Sequence, residues 1–292
     1  DVIKNLQMLP GVQAVGEGNT AFFVRGGSSD QNLILLDEAP VYNPSHLIGI
    51  FSVFNSDAVK SAEIYKGGIP AQYGGRLSSV VDIRSKDGNM KNYGGSATIG
   101  FLSARAMVEG PIVKDKGSFI VTGRRTYFDL FLKASSDPDT RNTSLYFYDL
   151  NAKVNYKLGE KDRLYIGGYF GQDVFKGNGF GLDWGNATGT IRWNHVFNNR
   201  LFSNTTAIYS NFNYGLGIRQ SIQTFDWTAQ IQEYSLKQDF SYSLNQNNEL
   251  KFGIQLTGRS FQPGRFVPGS AESIFKTVEL PLNHALEYAA YI

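Results

Sequence analysis

The chain has no cysteine in its 292 residues, which excludes a disulfide framework, a thiolate metal site and a cysteine nucleophile. Histidine is scarce too. His46, His195 and His284 lie far apart and form no His-x-x-x-His pair, so zinc-hydrolase chemistry has no ligand set. The formal net charge is only +2, too small to argue for nucleic acid or an anionic lipid surface. No run approaches the about 18 apolar residues of a membrane helix, so a helical membrane protein is excluded. A membrane β-barrel is not excluded, because its strands show lipid only every second side chain. There is no Gly-x-Ser-x-Gly elbow. The run Gly177-Asn178-Gly179-Phe180-Gly181 lacks the Lys-Ser/Thr of a phosphate loop, and Asp37-Glu38 lacks a second carboxylate at glycosidase spacing. Arg25-Gly26-Gly27 occurs once and in apolar surroundings, unlike an RNA-binding repeat. The sequence therefore offers no catalytic residue, no metal ligands, no cofactor site and no enzyme.

Aromatic residues make up 14% of the chain and glycines number 32, a mixture that favours strands and tight turns. Two regions differ in pattern. Residues 1–88 read as a small mixed α/β domain. Val2, Ile3, Leu6 and Leu9 have helical spacing up to Pro10-Gly11, and short β-like runs follow at 21–24, 32–37, 61–65 and 79–84. Residues 46–54 fit either a helix or a buried loop. From Tyr93 onward the chain alternates strictly. Tyr148, Leu150, Ala152, Val154, Tyr156 and Leu158 oppose Asp149, Asn151, Lys153, Asn155 and Lys157. The same pattern sets Tyr234, Leu236, Phe240 and Tyr242 against Glu233, Lys237 and Asp239, and Phe252 and Ile254 against Lys251 and Gln255. A period of two puts such sets on opposite faces of a sheet.

A soluble antiparallel sandwich would also alternate. Three details favour a membrane barrel. The strands exceed the usual about five or six residues; aromatics bracket the apolar face of the 148–158 strand; and connections alternate in length. Short turns fall at 159–162, 198–199 and 245–248, and longer stretches at 129–144, 177–183, 215–228 and 263–283. Consistent bookkeeping requires a hairpin over 93–108, a turn at Gly110-Pro111-Ile112 and about ten strands, the last beginning near His284. Tyr148, Leu150, Val154, Tyr156, Leu236, Phe240, Tyr242, Phe252 and Ile254 should then face lipid. Lys153, Asn155, Lys237, Asp239, Lys251 and Gln255 should face the lumen.

The first region resembles the plug domain of TonB-dependent outer-membrane receptors. The matching runs are Leu9-Pro10-Gly11-Val12, Phe23-Val24-Arg25-Gly26-Gly27, Leu35-Leu36-Asp37 with Pro40-Val41-Tyr42, Glu63-Ile64-Tyr65-Lys66-Gly67-Gly68, and Tyr73-Gly74-Gly75-Arg76-Leu77-Ser78-Ser79. Residues 93–112 are similar to that family's first barrel hairpin. The resemblance implies a barrel of ~22 strands filled by the plug. On that reading residues 1–88 are an N-terminally incomplete plug and 93–292 a C-terminally incomplete barrel. It further implies energy-coupled import of a siderophore, cobalamin, glycan or peptide, with the TonB–ExbB–ExbD complex and outer-membrane lipid as partners. The alternatives are a passive porin or adhesin barrel, or a soluble β-rich binding protein. The family's Asp-Gly-Val-Pro wording in glycan importers is replaced here by Asp37-Glu38-Ala39-Pro40, so that subgroup is not assigned. Plug arginines of the family pair with barrel glutamates, which makes Arg25 and Arg76 the expected anchors, partly buried and paired. Gly26, Gly27, Gly67, Gly68, Gly74 and Gly75 would allow positive φ and close approach to the wall, beside Asp37.

Overall fold

The computed structural model describes residues 1–16 and 18–292. Asp1 caps helix α1 (Val2–Gln7): its Oδ1 accepts from the N–H of Ile3 at 3.0 Å, and its Oδ2 from the N–H of Ser52 at 2.8 Å. One carboxylate thus starts the helix and ties it to a short strand about fifty residues on. Ile3 and Leu6, three apart, form the buried face. The hairpin of β1 (Val12–Ala14) and β2 (Phe22–Val24) follows. Strands β3 (Asn32–Leu36) and β4 (Ala39–Pro40) come next, then β5 (Ser45–His46) and β6 (Phe51–Ser52), then β7 (Val59–Tyr65) and β8 (Ser79–Ser85).

A four-stranded sheet runs β4-β3-β8-β7, with β3 and β8 parallel. The central strand β8 carries Val80, Val81 and Ile83, all buried, as an apolar run expected of a strand covered on both faces. Val81 and Ile83 join Ile3, Phe22, Val24, Ile34 and Phe54 in one core, which Tyr169 of the second region enters. Residues 46–54, open between helix and loop, form the β5–β6 hairpin around a single 3-10 turn, Leu47–Gly49.

The second region is a wall. Its strands are β9 (Gly94–Ile99), β10 (Ser103–Val113), β11 (Gly117–Thr126), β12 (Ser144–Lys157), β13 (Asp162–Gly177), β14 (Phe180–Val196), β15 (Leu201–Gln220), β16 (Gln223–Asn245) and β17 (Asn248–Pro268). The short β18 (Val278–Glu279) and β19 (Asn283–Tyr291) share the far edge of β17, so the wall is ten strands wide. From β9 to β18 each strand pairs antiparallel with its neighbour in sequence, β19 pairs antiparallel with β17, and β9 is not joined to β19. Helices α2 (Phe128–Leu132) and α3 (Pro138–Arg141) lie between β11 and β12.

Two expectations need correction. The turn placed at Gly110-Pro111-Ile112 lies instead at 114–116, because a register shift between Pro111 and Val113 lets β10 continue past the proline. The stretches 177–183 and 215–228 are not loops. Gly177 pairs with Phe180 across Asn178-Gly179, both left-handed, and Gln220 pairs with Gln223 across Ser221-Ile222. Glycine and asparagine there mark two-residue hairpins. The strands are therefore long, 23 residues in β16. The bilayer needs only about 9–11 residues of a tilted strand, so the wall rises well beyond it at the rim that carries the 178–179 and 221–222 turns.

The alternation holds on both faces. Tyr148, Leu150, Tyr234, Leu236 and Ile254 are exposed and apolar, while Asp149, Asn151, Lys153, Asn155, Glu233 and Lys237 are buried. Lys153 and Lys237 meet an object inside the curve; Asn155 is buried against Ser118 and Arg163 of the neighbouring strands, and Lys251, lower on β17, stays exposed. That object is the first region.

Candidate functional site

A seam of plug residues runs across the inner face of consecutive wall strands. Asp37 and Glu38 occupy the left-handed turn between β3 and β4, at φ 47° and 77°. Asp37 accepts from the Ser85 backbone N–H at 3.1 Å and lies 3.6 Å from Lys153 Nζ on β12. Lys153 also donates to the Ser85 carbonyl at 3.0 Å and pairs with Asp87 at 3.2 Å. Glu38 bridges Arg84 of the plug at 3.0 Å and Arg192 of β14 at 3.4 Å. Burial alone would raise the Glu38 carboxyl, but Arg84, Lys237 and Arg192 outweigh it and hold the group below its ordinary value. Further along, Ser210 donates to the Pro40 carbonyl at 2.5 Å, Tyr42 donates to Glu233 at 2.9 Å, and Asn186 donates to the Asn43 carbonyl at 2.7 Å.

The seam ends in a buried charged cluster around His46. Its Nδ1 lies 2.5 Å from Asp173 on β13, and its Nε2 lies 3.5 Å from Asp149 on β12 and 3.2 Å from the Tyr169 hydroxyl. The ring stacks on Phe147 at 4.1 Å. The next residue, Leu47, donates its backbone N–H to the other Asp173 oxygen at 2.7 Å. Arg124 on β11 completes the cluster, donating to Asp149 at 2.5 Å and to the Ser52 carbonyl at 2.7 Å. The Trp184 indole donates to the Ser45 carbonyl at 3.3 Å.

Burial alone would lower the His46 pKa. Hydrogen bonds and charge from Asp149 and Asp173 together overcome that and raise it above the ordinary 6.5. A raised histidine pKa contributes stability that is complete below the unfolded value and is lost as pH rises through the folded one. Plug docking should accordingly loosen on the alkaline side. Amide exchange across residues 45–52 of the receptor should speed up between pH 6 and pH 9 once corrected for intrinsic rates, and His46→Gln should abolish that extra change. A pH-independent protection in the parent would refute it.

The residues picked from sequence are distributed unevenly. Asp37 reaches the wall through Lys153. Arg25 and Arg76 do not: both are exposed, and the Arg76 guanidinium bonds only the Gly75 carbonyl at 3.1 Å. Gly26, Gly68 and Gly75 take left-handed backbone, Gly27 packs against Ser78, and Gly67 lies under the Arg25 guanidinium. Gly74 and Gly75 border a gap against Arg259, Glu287 and Tyr291 of β17 and β19. The expected burial of the two arginines is thus not seen, because the seam is built from residues 37–52 instead. His46 had no visible partner in the sequence, since Asp149 and Asp173 lie more than a hundred residues away. Among the described residues no group of three His, Cys, Asp or Glu side chains is arranged to hold a metal ion.

A mixed domain seated by buried ion pairs in the curve of a lipid-facing antiparallel wall defines a plugged outer-membrane β-barrel. Residues 1–81 match the TonB-dependent Receptor Plug Domain family. The whole chain is similar in fold to a mutant of the ferric enterobactin receptor PfeA from Pseudomonas aeruginosa, with TM-score 0.69 and 15% identity over 99% of this chain and 52% of that one. It is also similar to the siderophore receptor PirA from Pseudomonas aeruginosa (0.66, 17%, 99% and 48%) and to the copper transporter OprC (0.71, 10%, 98% and 47%). The chain spans about half the length of these solved receptors. No curated protein matches it. Residues 1–81 thus carry the plug domain of TonB-dependent receptors, and the chain has the fold of that plug seated in a portion of an outer-membrane β-barrel.

Proposed function

We propose that the protein imports a scarce ligand, of the siderophore, cobalamin, glycan or peptide kind, by TonB-driven movement of the plug. The observation that carries this is the seam. A purely structural filler would be held best by apolar packing, because burying ion pairs gains little net stability. Here the plug core is apolar while its docking face is charged and hydrogen-bonded, from Asp37 through His46 to Ser52. Such a face resolvates readily when pulled away, which suits an element that must leave its seat and return. TonB with ExbB and ExbD supplies the pull. The domain division at residues 1–88 and 93–292 belongs to the same reading. Arg25 and Arg76, free of β9–β19, are the plug arginines left to meet wall beyond those strands.

The test is uptake by cells carrying the full-length receptor, against a panel of ferric siderophores, cobalamin, oligosaccharides and peptides. Accumulation of the responding ligand should fall to that of a receptor-less strain when the proton gradient is collapsed or TonB is deleted. Uptake that persists without the gradient would make the barrel a passive pore.

A further inference from the structure

A carboxylate stands on the lipid side of the wall, beside the short turn at 159–162. Arg192 of β14 points into the lumen, where it meets Glu38 of the plug, and Tyr165 lies opposite it on β13. Successive side chains of a strand alternate between faces. Trp193 and His195, with their cross-strand partners Leu164 and Asp162, are therefore on the outer face. Nearby outer positions of other strands are uncharged: Tyr156 on β12, Leu201 on β15, Tyr242 on β16 and Leu250 on β17. Asp162 departs from them, and it is bonded to two rings.

Its Oδ1 accepts from the Trp193 indole N–H at 2.9 Å and lies 2.6 Å from His195 Nδ1. Phe197 meets the His195 ring edge-on at 4.4 Å, and the Trp193 ring lies 5.6 Å from it. These bonds use one oxygen only. Oδ2 has no hydrogen-bond partner among the described residues, and the Asp162 side chain is 32% exposed. Trp193 and Phe197 are exposed to 44% and 45%. Bracing the rings accounts for Oδ1, but it leaves the second oxygen open at the membrane surface. The adjacent residue, Lys161, donates to the Phe197 carbonyl at 3.3 Å, which keeps an ammonium close to Phe197. Farther up the same face Ile166 and Ile191 pair across β13 and β14, and both are exposed. A cation, an open carboxylate oxygen and two exposed rings thus lie at the foot of an aliphatic strip. Trp and other aromatic rings favour this depth, where headgroups begin.

We propose that this patch binds the headgroup of an ethanolamine phospholipid. The lipid ammonium donates to Asp162 Oδ2 and lies against the Trp193 and Phe197 rings, which attract a cation through their faces. Lys161 meets the phosphate, and the acyl chains run along Ile166 and Ile191. A zwitterionic headgroup matches the adjacent opposite charges of Lys161 and Asp162. A phosphatidylglycerol has no ammonium and brings only negative charge towards Asp162. The test uses the full-length receptor in detergent, titrated with dioleoylphosphatidylethanolamine or dioleoylphosphatidylglycerol and read by native mass spectrometry. The receptor should retain its first ethanolamine lipid about tenfold more tightly than the glycerol lipid, the scale of one charge-assisted hydrogen bond. Asp162→Asn keeps the size and the acceptor for Trp193. It should erase the preference by weakening the ethanolamine lipid alone. Glu249→Gln removes a carboxylate on β17 and should leave the preference as in the parent. Heat-modifiable migration confirms that each variant is assembled. Equal retention of the two lipids by the parent would overturn the proposal. So would a preference that survives Asp162→Asn, or equal weakening of both lipids by that variant, which would mean that the carboxylate only braces the rings.

Discussion

Arg124→Ala is expected to release the plug from β11–β13 at a cost of about 3–5 kcal/mol, the range for removing one partner of a buried ion pair. Arg124 holds both sides at once. Its Nε and Nη2 donate to Asp149 at 2.8 and 2.5 Å, Nη2 reaches the Ser52 carbonyl of the plug, and the guanidinium lies 4.9 Å over the Phe147 ring on which His46 stacks. Without it, the fully buried Asp149 keeps only His46 and sits near a second carboxylate, Asp173. Amide protection across residues 45–52 should collapse, while that of the β15–β16 pairs stays as in the parent. Arg124→Lys, which keeps charge but loses the fork, should fall between. Unchanged protection over 45–52 would remove Arg124 from the docking account.

Phe22→Ala should cost about 3–5 kcal/mol, as for other buried phenylalanines, but through a different region of the molecule. Phe22 is 2% exposed in the plug core, and the Asn32 side chain donates to its carbonyl at 3.0 Å, so its backbone has little freedom to collapse into the space left. Exchange should rise through β1–β3 and β8, with the wall unaffected. A loss under about 1 kcal/mol, below the usual cost of such truncations, would mean that Phe22 is peripheral to the core.

The wall was largely legible because sheet faces repeat every second residue. Tyr148 to Leu158 declared both sides of β12, and Tyr234 with Leu236 did so for β16. Where the reading failed, Gly and Pro were taken as breaks. Gly110-Pro111 sits inside β10 beside a register shift, and the glycines around 177–181 close a two-residue hairpin between strands of 16 and 17 residues. The seam was legible on one side only. Alternation pointed Asp149, Lys153 and Glu233 inward, but their partners His46, Asp37 and Tyr42 come from far away in the chain, where no local period announces them. Arg25 and Arg76 entered through resemblance rather than pattern, and the structure leaves them exposed.

The plug's strand order also determines how it would yield to force. A pull applied upstream of α1 first loads the Asp1–Ser52 bond and the buried face of α1, and then the β1–β2 hairpin at its open end, where Val12 faces Val24. Its three residue pairs would separate in succession, as a zipper does. The next element is loaded in another way. β3 and β8 are parallel over Asn32–Leu36, so tension entering β3 at Asn32 and resisted beyond Ser85 slides the two strands along each other and strains all five residue pairs together. A soft leader that extends at low tension is thus joined to a stiff sheet that does not. Once the Asp1–Ser52 bond has parted, a modest tug would therefore lengthen the plug's entry segment while leaving β3, β8 and the contacts of Asp37 to His46 seated, and only a sustained one would reach those wall contacts.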